Sequence, residues 1–118
     1  MTEIRMFDTG ATRDQVEGKL CYAGFLSPIV LKRFAEYMHQ HRLQSDGSMR
    51  SPDNWQKGMP KDAYMKSCWR HFVDLWFLHR GYERFDKRDG HPLTVVEVCC
   101  AIFFNVQGYA HEDLKENR

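Results

Sequence analysis

Polar side chains capable of chemistry stand at a few positions on otherwise apolar stretches. In "AYMKSCWRHFVDLWFLHRG", His71 and Asp74 lie three residues apart and share a helix face. Arg70 and Asp74 lie four apart and are spaced to form an ion pair. An imidazole and a carboxylate on such a face could bind a divalent cation or position a phosphate. The plainer role is an internal salt bridge or hydrogen bond that closes the core, because buried polar groups are normally satisfied. Further along, Glu97, Ala101 and Asn105 fall at i, i+4 and i+8, with Gly108 ending the stripe, which suggests a lined cavity. A capping role alone would explain Glu97, whereas a mid-helix Asn has poor propensity and needs a partner.

A third candidate is Trp55 in "SPDNWQKGMP", where no apolar periodicity buries an indole. It is either a plug tying the loop to the core or a ring that covers a ligand. Cations are scattered: Arg13, Lys19, Lys57 beside Trp55, Arg70 and Arg80. Gly10 and Gly18 stand near the first two, where backbone N–H groups could turn toward an anion, but no P-loop pattern is present. His39 and His41 are two apart and do not share a helix face; they suit the negative end of a helix dipole. Serines occupy cap, loop or helix contexts without a nucleophile elbow, which argues against acyl transfer.

Three helices must position these groups. Residues 27–42 open with Ser27 as N-cap and Pro28 at the first helical position, and Ile29, Val30, Phe34, Tyr37 and Met38 give one apolar face. A second helix runs from about Lys61 to Arg80, between Pro60 and Gly81, and is apolar nearly all round, which predicts burial at the centre of the fold. A third spans about Val95 to Ala110, with Thr94 and Glu97 as a capping box and Leu93 with Val98 as a hydrophobic staple. No stretch alternates as a half-buried strand for more than a few residues. The expected fold is all-α: a small bundle of three main helices with long ordered loops and room for a short extra N-terminal helix. One domain is expected over 1–118, with 1–26 an N-terminal loop segment, 27–110 the helical core and 111–118 a frayed tail.

The 118 residues carry 17 Lys+Arg against 16 Asp+Glu, so the formal charge of +1 excludes the basic excess of a duplex-binding protein. Any anion must be bound locally. Four cysteines (Cys21, Cys68, Cys99 and Cys100) without a CxxC pair read as reduced, mostly buried thiols. No apolar run approaches the roughly 18 residues of a membrane span, and the expected location is the cytoplasm.

"GATRD" with "GK" and Tyr22, then "NWQKG", then "RHFVDLW" followed by "HRG", and a final helix bearing Asn105, resemble the phage family known as the dATP/dGTP diphosphohydrolase N-terminal domain. The resemblance covers about Gly10 to Leu114. It implies a small helical domain that handles purine deoxynucleotides, in a manner similar to MazG-type all-α pyrophosphohydrolases. On matching positions it gives roles to Arg13, Asp14, Lys19, Asn54, Trp55, Lys57, Arg70, His71, Asp74 and Asn105. MazG-type enzymes hold Mg²⁺ in paired ExxE and ExxD clusters; here one carboxylate per helix is thin for such a centre.

Three functions follow as expectations. In a Mg²⁺-dependent diphosphohydrolase, Asp74 and Glu97 would hold the metal and His71 or Glu97 would orient water. Arg13, Lys19, Lys57 and Arg70 would neutralise phosphate, and Trp55 would stack on the base. A non-catalytic binder would use the same cationic and aromatic groups without metal to sequester a host defence signalling nucleotide, in the cytoplasm of a phage's host. The third expectation is a structural or protein-interaction module. Assembly as a homo-oligomer is compatible with all three, although the sequence does not mark an interface.

Overall fold

The computed structural model describes residues 4–14 and 18–117. The chain forms two compact units, Met1–Leu31 and Lys32–Arg118, with the boundary inside a helix. It is mostly helical, as expected.

In the N-terminal unit, β1 (Ile4–Met6) pairs antiparallel with β2 (Thr12–Asp14), matching Ile4 with Asp14, Arg5 with Arg13 and Met6 with Thr12. The sequence reading expected no strand here, because three residues are too few to show alternation. The turn is closed by Gly10 N–H donating to Phe7 O and by Phe7 N–H donating to Ala11 O, each at 2.8 Å. A single-turn helix, α1 (Tyr22–Phe25), follows and supplies the short extra N-terminal helix.

Helix α2 (Pro28–Gln40) starts as predicted: Ser27 Oγ accepts from Val30 N–H at 3.4 Å. Its expected apolar face divides, with Phe34, Tyr37 and Met38 half-buried while Ile29 and Val30 stay exposed. In the C-terminal unit, α3 (Lys61–His79) and α4 (Val95–Glu116) form the main packed pair. Gly81, at φ +87°, ends α3 in a left-handed conformation that a side chain would disfavour. Thr94 Oγ1 accepts from Glu97 N–H at 3.1 Å to cap α4. The helix continues to Glu116, through most of the segment expected to fray. Lys61 Nζ, donating to Asp113 at 2.7 Å and Glu116 at 2.8 Å, ties the end of α4 to the start of α3.

Tyr64 of α3 packs against Gly108 and Phe104 of α4, and Tyr64 with Val98, Cys100, Ala101 and Asn105 makes the buried centre among the described residues. The helices approach so closely that a Cβ on Gly108 would sit 2.2 Å from Tyr64 Cε1. The central burial predicted for α3 is not found: only Tyr64 is buried, and Met65, Trp69, Phe72 and Trp76 are exposed. A pair of helices can cover one face of each, so an all-round apolar helix keeps the remainder open. The thiols also differ from expectation, since Cys100 is buried and Cys68 half-buried but Cys21 and Cys99 are exposed. No helix among the described residues is long and apolar enough to cross a membrane.

Candidate functional site: two adjoining cavities in the C-terminal unit

Helix α3 presents Arg70, His71 and Asp74 on one flank, and α4 presents Glu97 and Ala101 on the side facing the same space. The 81–93 loop closes that space. Its backbone is pinned by Asp86 N–H donating to His91 O at 2.9 Å, Gly90 N–H to Asp86 O at 2.8 Å and Leu93 N–H to Arg84 O at 2.9 Å. The result is a cavity of about 630 Å³, with Arg84, Lys87 and Arg88 in its wall beside His71, Asp74 and Glu97.

The predicted trio His71, Asp74 and Glu97 therefore shares one cavity, but the predicted pairings change. Asp74 Oδ1 accepts from Arg84 Nε at 2.7 Å, not from Arg70. Arg84 comes from the loop and also stacks its guanidinium 4.3 Å from the centre of the Phe77 ring, so tertiary contact displaces the in-helix pair. Arg70 and Lys87 line the cavity without an ion-pair partner among the described residues. Glu97 Oε2 accepts from His91 Nε2 at 2.8 Å, while His91 Nδ1 donates to Asp89 at 2.5 Å. Both partners of His91 are acceptors, so the ring is held as imidazolium, and Glu97 and Asp89 together raise its pKa above the ordinary 6.5. His71 shifts the other way. Burial lowers its pKa, outweighing the pull of Asp74, so it is neutral at pH 7, and its ring nitrogens have no hydrogen-bond partner among the described residues.

A second cavity of about 490 Å³ adjoins the first, with Tyr37, His41, His71 and Ala101 in both walls. Its wall carries Arg42, Arg50, His39, His41 and His71, the rings of Tyr37, Trp55 and Phe104, the amides of Asn54 and Asn105, and no carboxylate. The cations are assembled by a turn. Asp46 and Gly47 reverse the chain, Leu43 bridges Met49, and Arg50 N–H donates to Arg42 O at 2.8 Å, which sets the two arginines side by side. Arg42 Nε donates to Arg50 O at 2.8 Å, and Arg50 Nη2 donates to His41 O at 2.5 Å, leaving other guanidinium N–H groups for a ligand. His41 is fixed between the cavities. Its Nδ1 donates to Tyr37 O at 2.8 Å, and its Nε2 lies 2.6 Å from Arg88 Nη2, which can only donate, so Nε2 is the unprotonated nitrogen.

Trp55 sits in a 3-10 turn, Asn54–Lys57, and is half-buried. It meets His111 edge-on at 4.9 Å and Phe104 at 6.5 Å between centroids, and the same indole lines the second cavity. Plug and cover are thus two sides of one ring. Asn105 is only 5 % exposed; its Nδ2 donates to Ala101 O at 2.7 Å, and no described residue donates to its Oδ1. Lys57 is exposed at the end of the turn and does not line either cavity. Arg13 and Lys19 are exposed in the N-terminal unit; Asp14 belongs to β2, and its side chain lies outside the described residues.

The donor set does not fit a Mg²⁺ centre. Glu97 has one oxygen on His91 and the other 3.3 Å from Thr94 Oγ1, and Asp74 has one oxygen on Arg84, so only Asp74 Oδ2 is unengaged among the described residues. One group of three ligands does assemble, Asp86, Asp89 and His91, but His91 spends both ring nitrogens as donors. His41, Arg42, Arg50, Arg84, Lys87 and Arg88 line the cavities without having been site candidates on sequence. For Arg42 and Arg50 a signal existed, since "LQSDGSMR" places a Ser-Asp-Gly turn between two apolar residues and brings its flanks together.

Compared with known proteins, the chain matches no protein family, no curated protein and no solved structure.

Proposed function

We propose that the protein binds a purine nucleotide in the cavity pair, without a resident metal. The observation that carries this reading is the composition of the second cavity: two arginines, three histidines, three aromatic rings and no carboxylate. A flat apolar ring joined to a multivalent anion is the ligand chemistry such a wall complements, with stacking on Trp55 and charge-assisted hydrogen bonds from Arg42 and Arg50 to phosphate. Asn105 Oδ1 offers an acceptor to an exocyclic amine of the base. Arg70 and Lys87 extend the cationic surface into the first cavity, where further phosphates fit. Sequestration of a signalling nucleotide is the form of function that requires no catalyst.

A hydrolytic reading is favoured by one observation, the presence of Asp74, Glu97 and neutral His71 around the first cavity. It requires Asp74 and Glu97 to exchange Arg84 and His91 for Mg²⁺ when substrate arrives.

The test incubates the protein with dATP, dGTP and other nucleotides, with Mg²⁺ or with a chelator, and follows bound ligand and released pyrophosphate together. Binding that survives the chelator, with no pyrophosphate, is the expected result. Arg50→Ala should weaken it about tenfold or more, the equivalent of one lost charge-assisted hydrogen bond. Turnover that requires Mg²⁺ and disappears in Asp74→Ala would establish the hydrolytic reading instead. No binding of any nucleotide would refute both.

A further inference from the structure

We propose that a second copy of this chain covers the outer face of the α3/α4 pair, making a two-fold dimer with a four-helix centre. The proposal is independent of the ligand. Helix α3 has three distinct sides: Tyr64 faces α4, Arg70, His71 and Asp74 face the cavities, and Met65, Trp69, Phe72 and Trp76 form the remaining stripe. That stripe is open to solvent, at 44, 62, 48 and 55 % exposure respectively. By helical spacing, Val95 and Val106 of α4, both exposed, lie on the same side of the pair.

The area suits a stable interface. An aromatic side chain carries ~150–250 Å², so three rings half exposed, with Met65, Val95 and Val106, offer on the order of 500 Å² of apolar surface. A standard interface buries ~800 Å² per partner, of which about 65 % is apolar at its core. A patch of that size is at the upper end of the ~300–600 Å² of the largest patch on a monomer, and such patches are often functional.

The order of residues selects a copy of the same chain as occupant. Spacings of four, three and four are those of a coiled-coil seam, and the stripe reads the same chemistry from its midpoint between Arg70 and His71 in both directions. An antiparallel two-fold there sets Trp69 against Phe72 of the partner subunit and Met65 against Trp76 of the partner subunit. It also brings the Asp62–Lys66 pair at the start of α3 toward His79 of the partner subunit, so polar groups flank the apolar seam at both ends. Ring on ring and sulfur on ring are both favourable layers.

Sedimentation velocity of the full chain should give twice the 14.0 kDa of one protomer at micromolar concentration. Trp69→Glu and Phe72→Glu should each shift the boundary to a single protomer, with the helical circular dichroism retained. If those variants do not fold, the wild type alone decides: on dilution its tryptophan emission should shift to the red as Trp69 and Trp76 become exposed, over the range in which the sedimentation coefficient falls. A wild type that is monomeric throughout overturns the proposal, as does a folded Trp69→Glu chain that remains a dimer.

Discussion

Gly108 shows how one missing side chain sets the distance between two helices. Its backbone touches the Tyr64 ring, and any Cβ would stand inside that ring unless the helices separate. Gly108→Ala gains helix propensity but should still destabilise the fold by about 1–3 kcal/mol through overpacking, read as a lowered midpoint in thermal unfolding. A second residue-scale prediction concerns His91, whose two ring nitrogens both donate to carboxylates. Its pKa in the folded chain is raised, first by Glu97 and then by Asp89, so the folded state binds the proton more tightly than the unfolded state. The stabilisation is therefore complete below pH 6.5 and is lost as pH rises through the raised value. The thermal midpoint should fall as pH rises above 6.5, and His91→Gln should flatten that fall. Asp89, lowered by the His91 amide and side chain, contributes in the opposite window: its share is present above 3.8 and disappears on acidification.

At the scale of elements, α4 illustrates how a local signal can be right in place and altered in partner. Thr94 caps the helix as a Ser/Thr-x-x-Glu pattern predicts, but the Glu97 carboxylate turns to His91 of the preceding loop. Thr94→Ala should cost about 1 kcal/mol, measurable by denaturant unfolding, and should also loosen the 81–93 loop because Glu97 is displaced with the cap. The 81–93 loop is the second such case. Its length between two helices suggests a site without naming one, and its own hydrogen bonds and the Arg84–Asp74 pair make it a wall of the first cavity. Helix α3 departs furthest from expectation. Hydrophobicity specifies that a surface seeks cover, and only packing shows whether the cover lies within the same chain.

For the whole molecule, net charge near zero concealed a local separation of sign. The second cavity gathers Arg42 and Arg50 with no carboxylate, while the acidic residues among those described stand in the first cavity or elsewhere on the chain. Nucleotide affinity should accordingly fall as ionic strength rises from about 0.05 to 0.5 M, where the Debye length shrinks severalfold, and isothermal titration at the two salt concentrations checks it. The three main helices and their starts at Ser27, Pro60 and Thr94 were legible along the chain, because caps and apolar periodicity act over a few neighbouring residues. Also legible were His71, Asp74, Glu97, Trp55 and Asn105, each a polar or aromatic group that stands out from its neighbours, while Asn54 entered only through the family resemblance. Which of these share a wall, the pairing of Asp74 with Arg84 and the meeting of Arg42 with Arg50 came from the folded chain. Those outcomes depend on how loops return across the helices, and contacts between residues distant in the chain leave no periodicity to read.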